Sequence, residues 1–340
     1  MTSRMLLEAR DAPAAVARQL AHDILAYKEF GALLRAEPPG SLLTIARGSS
    51  DHAAHYSAYL IMARMGRLVT SLPMSLVTLY QSKIQCKGLA SFAFSQSGQS
   101  PDLVEPTHYF REGGAITAAF VNDATSPLAE TAQWVFPLHA GSESSVAATK
   151  SVIAQMTAGA RLVAAWQDDM GLQMALSNLP QVLSRAALSD WSAALPVLRE
   201  VDRLLVIGRG LGLPVALEVA LKFKEACGIQ AEAFSGAEVQ HGPMALIGEG
   251  YPVMVLAPRG PAQAGLLELA DRLRQRGARV LLAAPGATPR TSLPITETGA
   301  PELDGISILQ SFYPMVEALS RARGLDPDRP RHLSKITRTV

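Results

Sequence analysis

Lys222 and Glu225, three residues apart, lie in a segment that otherwise has the apolar spacing of an amphipathic helix. Side chains at this spacing share one helix face, where such a pair is usually a solvated surface ion pair. The same stretch continues to His241, which precedes a Gly-Pro sequence. A carboxylate and an imidazole brought together could move protons on a small substrate, although a histidine before Gly-Pro is also typical of a simple turn.

A second group of residues suits the binding of an anion. Segment 95–102 follows a mainly apolar predicted strand, Ala90–Phe94, and precedes a predicted helix at 101–112. Ser100 fits the N-cap of that helix and Pro101 its first position. Hydroxyls and free N–H groups at the positive end of a helix can hold a phosphate. An ordinary capped turn is the alternative, but ligands of open α/β sheets bind at the carboxyl ends of strands, which favours phosphate.

The elements that must position these residues follow a strand–helix–strand order. Continuous apolar runs without alternation are typical of parallel strands that are covered on both faces. The first of these runs ends at Arg47-Gly48, directly before Ser49 and Ser50. The predicted elements of the first half are an entry helix at 13–36 with Pro13 in its first turn, strands at 42–46, 68–71, 90–94, 115–121 and 134–137, helices at about 51–65, 101–112, 125–132 and 145–168, and a polar connecting region near 169–190.

An internal repeat relates the two halves of the chain. An offset of 162 residues carries Arg47 onto Arg209, Gly66 onto Gly228 and the strand ending at Phe94 onto the apolar run ending at Leu256. The repeat predicts an α/β fold of two tandem domains, each a mainly parallel sheet flanked by helices in a three-layer sandwich. The predicted organisation is an entry region at 1–40, a first domain at 41–170, a connection at 171–190, a second domain at 191–325 and a tail at 326–340.

Composition excludes several classes of protein. The chain has 31 Lys and Arg against 30 Asp and Glu, so a basic nucleic-acid-binding surface is not expected. Its two cysteines, Cys86 and Cys227, are far apart and favour buried thiols in a reducing compartment over a disulfide scaffold or a zinc site. No segment has the apolar run of a secretory signal or of a membrane span. We therefore expect a cytoplasmic protein with no membrane partner.

Three weaker patterns have simple structural explanations. Gly208-Arg209-Gly210 follows a predicted strand, but Leu213 replaces the third glycine of a dinucleotide fingerprint, which disfavours a nucleotide-dependent enzyme. His52 and His55 share a predicted helix face without an accompanying carboxylate or cysteine cluster, so we predict no metal site. The proline-rich, charged tail has the composition of a frayed end unless it folds over a site.

Read together, these segments resemble the isomerase half of glucosamine-6-phosphate synthase, a pair of SIS (sugar isomerase) domains, and stand-alone glucosamine-6-phosphate deaminases. The resemblance runs from about residue 46 to the C-terminus, with the opening Met5-x-x-Glu8 also similar. The motifs that carry it are the Ser-Gln-Ser-Gly loop from Ser95, the Ala148-Thr149-Lys150 run after Glu143, the Ala-Leu-Lys-Phe-Lys-Glu helix ending at Glu225, the Glu238-x-x-His241-Gly242-Pro243 sequence, and the tail Asp328-x-Pro330-Arg331-x-Leu333-x-Lys335.

The resemblance implies a role for each matching position. Glu225 would shuttle a proton between C1 and C2 of the sugar, with assistance from Lys222. His241 would open the sugar ring from the neighbouring subunit, which implies a homodimer with shared active sites. Lys335 would lie near the sugar carbonyl and form an imine with a ketose. No metal or organic cofactor is implied. The sugar phosphate would be bound by Ser49, Ser50, Ser95, Gln96, Ser97, Ser100, Glu143 and Val146.

Two departures from the family bear on the reaction and its substrate. The full synthase begins with a glutaminase domain, whereas this sequence passes from Met1-Thr2-Ser3 directly to the entry helix, so we expect ammonia rather than glutamine as the nitrogen partner. Gln99, Ser100 and Leu103 replace the family's glutamate and threonines, and Ala237 replaces a glycine, which affects phosphate geometry and sugar preference.

These observations predict isomerising deamination of glucosamine 6-phosphate to fructose 6-phosphate and ammonia. The alternatives are an isomerase or deglycase for another sugar-amine phosphate, and a non-catalytic sugar-phosphate-binding regulator.

Overall fold

The computed structural model describes residues 2–335 of the chain. By its internal contacts the chain divides into two compact units, and each unit holds one five-stranded sheet. The first-sheet unit comprises Ala14–Glu143, Lys150–Ser177 and the chain from Ser334. The second-sheet unit comprises the chain up to Pro13, Ser144–Thr149 and Asn178–Leu333. The domain limits suggested by the sequence remain predictions.

The first sheet is entirely parallel, with the strand order β2-β1-β3-β4-β5. Because β2 and β3 lie on opposite sides of β1, the switch point of the sheet lies between β1 and β3, and open α/β sheets bind ligands at such a point. The strands are β1 (Ser41–Ile45), β2 (Val69–Ser71), β3 (Leu89–Ser95), β4 (Ile116–Val121) and β5 (Trp134–Pro137). Along the chain as far as Gln167, the helices are α1 (Arg4–Ala21), α2 (Ile24–Ala36), α3 (Gly48–Met65), α4 (Ser75–Thr78), α5 (Pro101–Glu112), α6 (Pro127–Thr131) and α7 (Lys150–Gln167).

Aromatic side chains fill one face of the first sheet. The ring of Phe120 on β4 stacks between those of Phe94 on β3 and Phe136 on β5, at centroid distances of 4.7 and 5.1 Å. Phe30 of α2 closes over Phe136 at 5.3 Å. A cluster that includes Leu43, Ala93 and Phe110 buries the opposite face. Both faces are therefore covered, which explains why β3 and β4 are mainly apolar and are buried along nearly their whole length without alternation.

The second sheet is also entirely parallel, with the order β10-β9-β8-β6-β7. Its strands are β6 (Arg203–Gly208), β7 (Gln230–Ser235), β8 (Pro252–Leu256), β9 (Arg279–Pro285) and β10 (Leu293–Ile295). The remaining helices are α8 (Met170–Ala186), α9 (Ala194–Leu198), α10 (Gly212–Cys227), α11 (Gln263–Gln275) and α12 (Asp304–Ala322), with short 3-10 turns at Glu238–His241, Pro243–Leu246 and Pro301–Leu303.

The two sheets share one topology. Read from the other edge, the second sheet has the order β7-β6-β8-β9-β10, which repeats the first sheet strand for strand. The offset of 162 residues carries β1 into β6 and β3 onto β8. The predicted fold class, a duplicated α/β fold of two parallel sheets flanked by helices, is confirmed. None of the helices within residues 2–335 combines the length and the apolarity needed to cross a lipid bilayer.

The entry region differs from its prediction for a physical reason. Pro13 lies inside α1 rather than in the first turn of a helix. A proline there removes the hydrogen bond to the carbonyl four residues earlier. That carbonyl, on Ala9, instead accepts a hydrogen bond of 2.9 Å from Nε2 of Gln310 on the buried helix α12. The predicted single helix is also split, because Asp23 adopts a left-handed backbone with φ of 55° between α1 and α2.

Two other segments are structured differently from their predictions. Helix α7 begins at Lys150 rather than at 145, because the preceding residues form a loop that glutamate side chains hold. The segment 169–190, expected as a polar connection, contains α8, whose Leu172, Leu176 and Leu179 are buried at helical spacing.

Candidate active site

Helix α10 positions the lysine and the glutamate on which the proposed chemistry depends. The helix ends at Gly228, whose left-handed φ of 62° terminates it directly after the pair. Lys222 is not a surface residue: its side chain is 1% exposed, and its ammonium donates a hydrogen bond to the carboxylate of Glu225, which is 18% exposed. The structure therefore rejects the solvated ion pair that the spacing usually indicates.

A second carboxylate, Glu218, completes this cluster. Its Oε1 lies 3.6 Å from the Lys222 ammonium and accepts a hydrogen bond of 3.3 Å from the hydroxyl of Tyr313 on α12. A buried ammonium needs such partners, because an isolated buried charge costs several kcal/mol. Sequence reasoning missed Glu218, although its position one helical turn before Lys222 was a usable signal.

Glu225 lines a cavity of about 320 Å³ within the second-sheet unit. Residues of the C-terminal tail form much of its wall, including Asp326, Arg329 and Arg331. Glu225 thus contacts a buried cation and also lines a cavity. His241 ends a short 3-10 turn in the same unit and is exposed.

The loop after β3 leads into α5 as predicted, but one of its predicted hydrogen bonds is not formed. Ser100 occupies the N-cap of α5 and Pro101 its first position, but the Ser100 hydroxyl does not make the capping hydrogen bond. The hydroxyl of Ser95 accepts from the N–H of Gly98 at 2.9 Å, and that of Ser97 accepts from the N–H of Gln99 at 3.3 Å. These two serines therefore shape the loop. Gln96 is partly exposed within it.

The loop after β1 lies at the neighbouring strand end. Helix α3 starts at Gly48, earlier than predicted, so Ser49 and Ser50 belong to its first turn. The Ser50 hydroxyl accepts a hydrogen bond of 3.0 Å from Nε2 of Gln155, a buried residue of α7. The first-sheet unit thus places two serine-bearing helix N-termini at the switch point between β1 and β3, an arrangement suited to an anion.

Arg47 connects these two loops, and sequence reasoning gave it no such role. Its Nε donates a hydrogen bond of 2.8 Å to Oδ2 of Asp102, a buried residue in the first turn of α5. The Arg47 side chain is 57% exposed, so the guanidinium remains accessible beside the serine loops. Its place directly before the two serines of α3 was the available signal.

The carboxylate of Glu143 binds the first turn of α7 and the side chain of Lys335. Glu143 is buried and accepts hydrogen bonds from the N–H and the hydroxyl of Ser151, at 3.1 and 2.6 Å, at the start of α7. Its Oε2 also accepts from the ammonium of Lys335 at 3.1 Å. The structure thus brings Lys335 and Glu143 together, and Val146 lies partly exposed three residues further on.

The histidines of α3 are partly buried. Burial raises the pKa of the Asp51 carboxyl and lowers the pKa of His55, which lie on the same helix. Across residues 2–335, no three side chains among His, Cys, Asp and Glu come together in a way that could hold a metal ion.

Comparison with known proteins places this fold and site in a family. The SIS-domain model matches residues 37–165 and 197–284. A solved structure from Silicibacter pomeroyi DSS-3 carries the provisional name of a phosphosugar isomerase. Its sequence is 40% identical to this chain, and the two superpose with a TM-score of 0.91. The alignment covers 96% of this chain and 100% of that one. Two parallel α/β sheets with the same strand order define the class of fold. The chain belongs to the SIS-domain family.

Two further relatives are larger enzymes or parts of them. The C-terminal domain of glucosamine-fructose-6-phosphate aminotransferase from Francisella tularensis superposes with a TM-score of 0.86 over 97% of this chain and 98% of that one, and at 21% identity this likeness shows the fold. The glutamine–fructose-6-phosphate aminotransferase (isomerizing) of Aeropyrum pernix is 33% identical over 94% of this chain and 55% of its own length. The chain spans about half the length of the curated relatives it matches.

Proposed function

We propose that this protein is an aldose–ketose isomerase of hexosamine 6-phosphates, and that its net reaction is isomerising deamination of glucosamine 6-phosphate to fructose 6-phosphate and ammonia. The observation that carries the proposal is the position of Glu225: its carboxylate binds the buried ammonium of Lys222, and the residue lines a cavity. A carboxylate positioned in this way can remove a proton beside a carbonyl and return it to the adjacent carbon.

The reaction balances with water as the only co-reactant. In the open-chain sugar, C1 is an aldehyde and C2 carries the amine. Glu225 takes the C2 proton while O1 gains a proton, which gives an enolamine. Return of the first proton to C1 and loss of one proton from the nitrogen, which replaces the one taken up by O1, leave an imine at C2. Water then adds to C2 and ammonia leaves, giving the ketose. C1 is reduced and C2 is oxidised, so no external redox partner is needed, and Lys222 supports the negative charge that develops during proton transfer.

The serine loops of the first-sheet unit supply the phosphate site in this proposal. Two helix N-termini and the hydroxyl groups of α3 and α5 provide N–H and O–H donors, which suit a dianionic phosphate. The accessible guanidinium of Arg47 adds a positive charge beside them. Ser49, Ser50, Ser95, Gln96, Ser97 and Ser100 keep the binding role that the family resemblance gives them, with Glu143 and Val146 at the sugar.

Two residues complete the proposed chemistry. His241 opens the sugar ring of the neighbouring copy in a homodimer with shared active sites, and its exposed position supports this assignment. Lys335 attacks the ketose carbonyl to form an imine. Its side chain is 21% exposed, and its ammonium donates to Glu143 at 3.1 Å.

Replacing Glu225 by Gln tests the proton shuttle. The amide keeps the shape and can still bind Lys222, but it cannot accept the C2 proton, so release of ammonia and ketose phosphate from glucosamine 6-phosphate should fall by at least ~100-fold. Calorimetry should show sugar-phosphate binding within a few-fold of the wild type. Glu232→Gln, an exposed glutamate on β7, is the matched control and should keep full activity.

Retained turnover in Glu225→Gln would refute the assigned role. A panel of hexosamine 6-phosphates and ketose phosphates with ammonia, assayed in both directions, separates the proposed substrate from other sugar-amine phosphates. Binding without turnover of any sugar in the wild type would favour a non-catalytic regulator.

A further inference from the structure

The C-terminal tail is anchored to the first helix of the chain. Oδ2 of Asp328 accepts a hydrogen bond from the N–H of Arg4, and Oδ1 accepts one from the N–H of Met5, each at 2.8 Å. These N–H groups belong to the first turn of α1, which has no intrahelical acceptors for them. A carboxylate at this position also interacts favourably with the helix dipole. The tail is therefore not a frayed end at this point.

A turn shapes the tail at the anchor. Oδ1 of Asp326 accepts from the N–H of Asp328 at 3.0 Å, and the carbonyl of Asp326 accepts from the N–H of Arg329 at 3.2 Å. Ser3 caps the same helix separately, because its hydroxyl accepts from the N–H of Leu6 at 3.2 Å and donates to Glu317 of α12. Helix α1 thus has two caps, and one of them is part of the tail.

The same helix holds the loop that leads to the partner of Lys335. Glu8, one turn beyond the anchor, accepts hydrogen bonds from the N–H of Ser144 at 2.5 Å and from that of Ser145 at 3.1 Å. The residue before Ser144 is Glu143, which binds Lys335.

We propose that Asp328 is a positioning residue, whose contact with the first turn of α1 fixes the base of the tail and so keeps Lys335 where it can react with a ketose phosphate. The inference rests on the proposed function for the role of Lys335. The ion pair between Lys335 and Glu143 holds only the far end of this segment, so the contacts of Asp328 are what fix its base. Without Asp328 the tail samples a larger volume, and the effective concentration of the Lys335 amine at the substrate falls.

Asp328→Ala and Asp328→Asn test this assignment, with Ser3→Ala as the matched control. All three weaken the N-terminal cap of α1 and should lower the melting temperature by similar amounts. Only the Asp328 variants release the tail. The conservative Asn can still accept one of the two hydrogen bonds and should give an intermediate result.

The first readout does not require activity. Trypsin can cut after Arg331, which is exposed and followed by His332 rather than by proline. We expect cleavage there, followed by mass spectrometry, to be at least ~5-fold faster in Asp328→Ala than in the wild type, while Ser3→Ala cleaves at the wild-type rate.

The second readout is the chemistry of Lys335. Borohydride in the presence of fructose 6-phosphate reduces an imine to a stable amine, so the labelled lysine can be identified by peptide mapping. We expect Asp328→Ala to lose at least ~10-fold in labelling and in kcat, with KM nearly unchanged because the phosphate loops are intact, whereas Ser3→Ala retains both.

The two readouts separate the possible failures. Wild-type protein that neither labels nor turns over any sugar phosphate would contradict the proposed function, and the cleavage rates would then decide on the anchor alone. Asp328→Ala that matches Ser3→Ala in cleavage, labelling and kcat would overturn the proposal and leave Asp328 as an ordinary helix cap.

Discussion

Lys222 is the residue around which the acid–base cluster is built. Its ammonium is fully buried and lies between the carboxylates of Glu218 and Glu225 on one face of α10. When Glu225 accepts a proton in the proposed reaction, it loses its negative charge, and Glu218 remains to balance the lysine. The buried ammonium therefore keeps a carboxylate partner throughout the cycle, which avoids the cost of an unpaired internal charge.

The two cysteines give a residue-scale prediction that is independent of the reaction. Burial raises the pKa of the Cys227 thiol to about 12 and also raises the pKa of Cys86. At pH 8 the thiolate fraction of a group with such a pKa is on the order of one in ten thousand. We expect negligible reaction of native protein with a thiol-specific disulfide reagent over minutes at this pH, and two reactive thiols in guanidinium chloride.

The single variants Cys86→Ser and Cys227→Ser show which of the two thiols has reacted with the reagent. Rapid labelling of Cys227 in the folded protein would contradict its burial. The raised pKa of Cys227 also determines how stability depends on pH. The protonated thiol contributes to the free energy of unfolding at pH values below the ordinary cysteine pKa, and this contribution is lost as the pH rises toward 12.

At the scale of elements, the loop between β3 and α5 is constrained at Gly98. Its φ of 64° lies in the left-handed region, and a Cβ atom there would overlap the hydroxyl of Ser126 at the start of α6. Only glycine fits both conditions, so the backbone can turn sharply and present the N–H groups of α5.

Gly98→Ala should therefore disrupt the proposed phosphate site. We expect a loss of about 1–3 kcal/mol in the free energy of unfolding, from backbone strain and overpacking, and at least ~10-fold weaker sugar-phosphate binding by calorimetry. Gly40→Ala is the control, because its Cβ would meet its nearest neighbour at an ordinary 3.7 Å. Unchanged binding by Gly98→Ala would show that the phosphate lies elsewhere.

Much of the element order could be predicted from the sequence, because parallel strands buried on both faces leave continuous apolar runs. The duplication was visible for the same reason, since both copies repeat the strand–loop–helix pattern at one offset. The position of Lys222 and Glu225 on one helix face also follows from spacing alone.

The long-range contacts could not be predicted. The span of α1 across Pro13 depends on Gln310, and the start of α7 depends on Glu8 and Glu143. Local propensity contains no information about partners such as Gln310, 301 positions from Ala9, or Glu8, 136 positions from Ser144. The burial of Lys222 was hidden likewise, because an i,i+3 pair looks the same in sequence whether it is covered or solvated.

At the scale of the whole molecule, the proposed assignment of His241 to the partner subunit predicts complementation. Glu225→Gln and His241→Ala should each be inactive alone. A mixed dimer would contain one site with both residues intact, so refolding an equal mixture should restore roughly a quarter of the wild-type rate if subunits pair at random. Each variant refolded with itself is the control.

A mixture that remains inactive, with mixed dimers demonstrated by differently tagged chains, would place His241 and Glu225 in the same chain's site or remove His241 from the reaction. The two tags also measure whether the chain forms dimers at all.

The repeated strand order has one more consequence. Positions that carry Ser49, Ser95 and Ser97 in the first copy correspond, at the offset of 162, to Leu211, Ala257 and Arg259 in the second, while the left-handed glycine persists as Gly98 and Gly260. After an ancestral gene doubled, selection could preserve the hydroxyl-rich turns in one descendant half and let the other half drift toward proton chemistry. The two halves of the chain would thus be copies of one fold that have diverged in the residues of their loops.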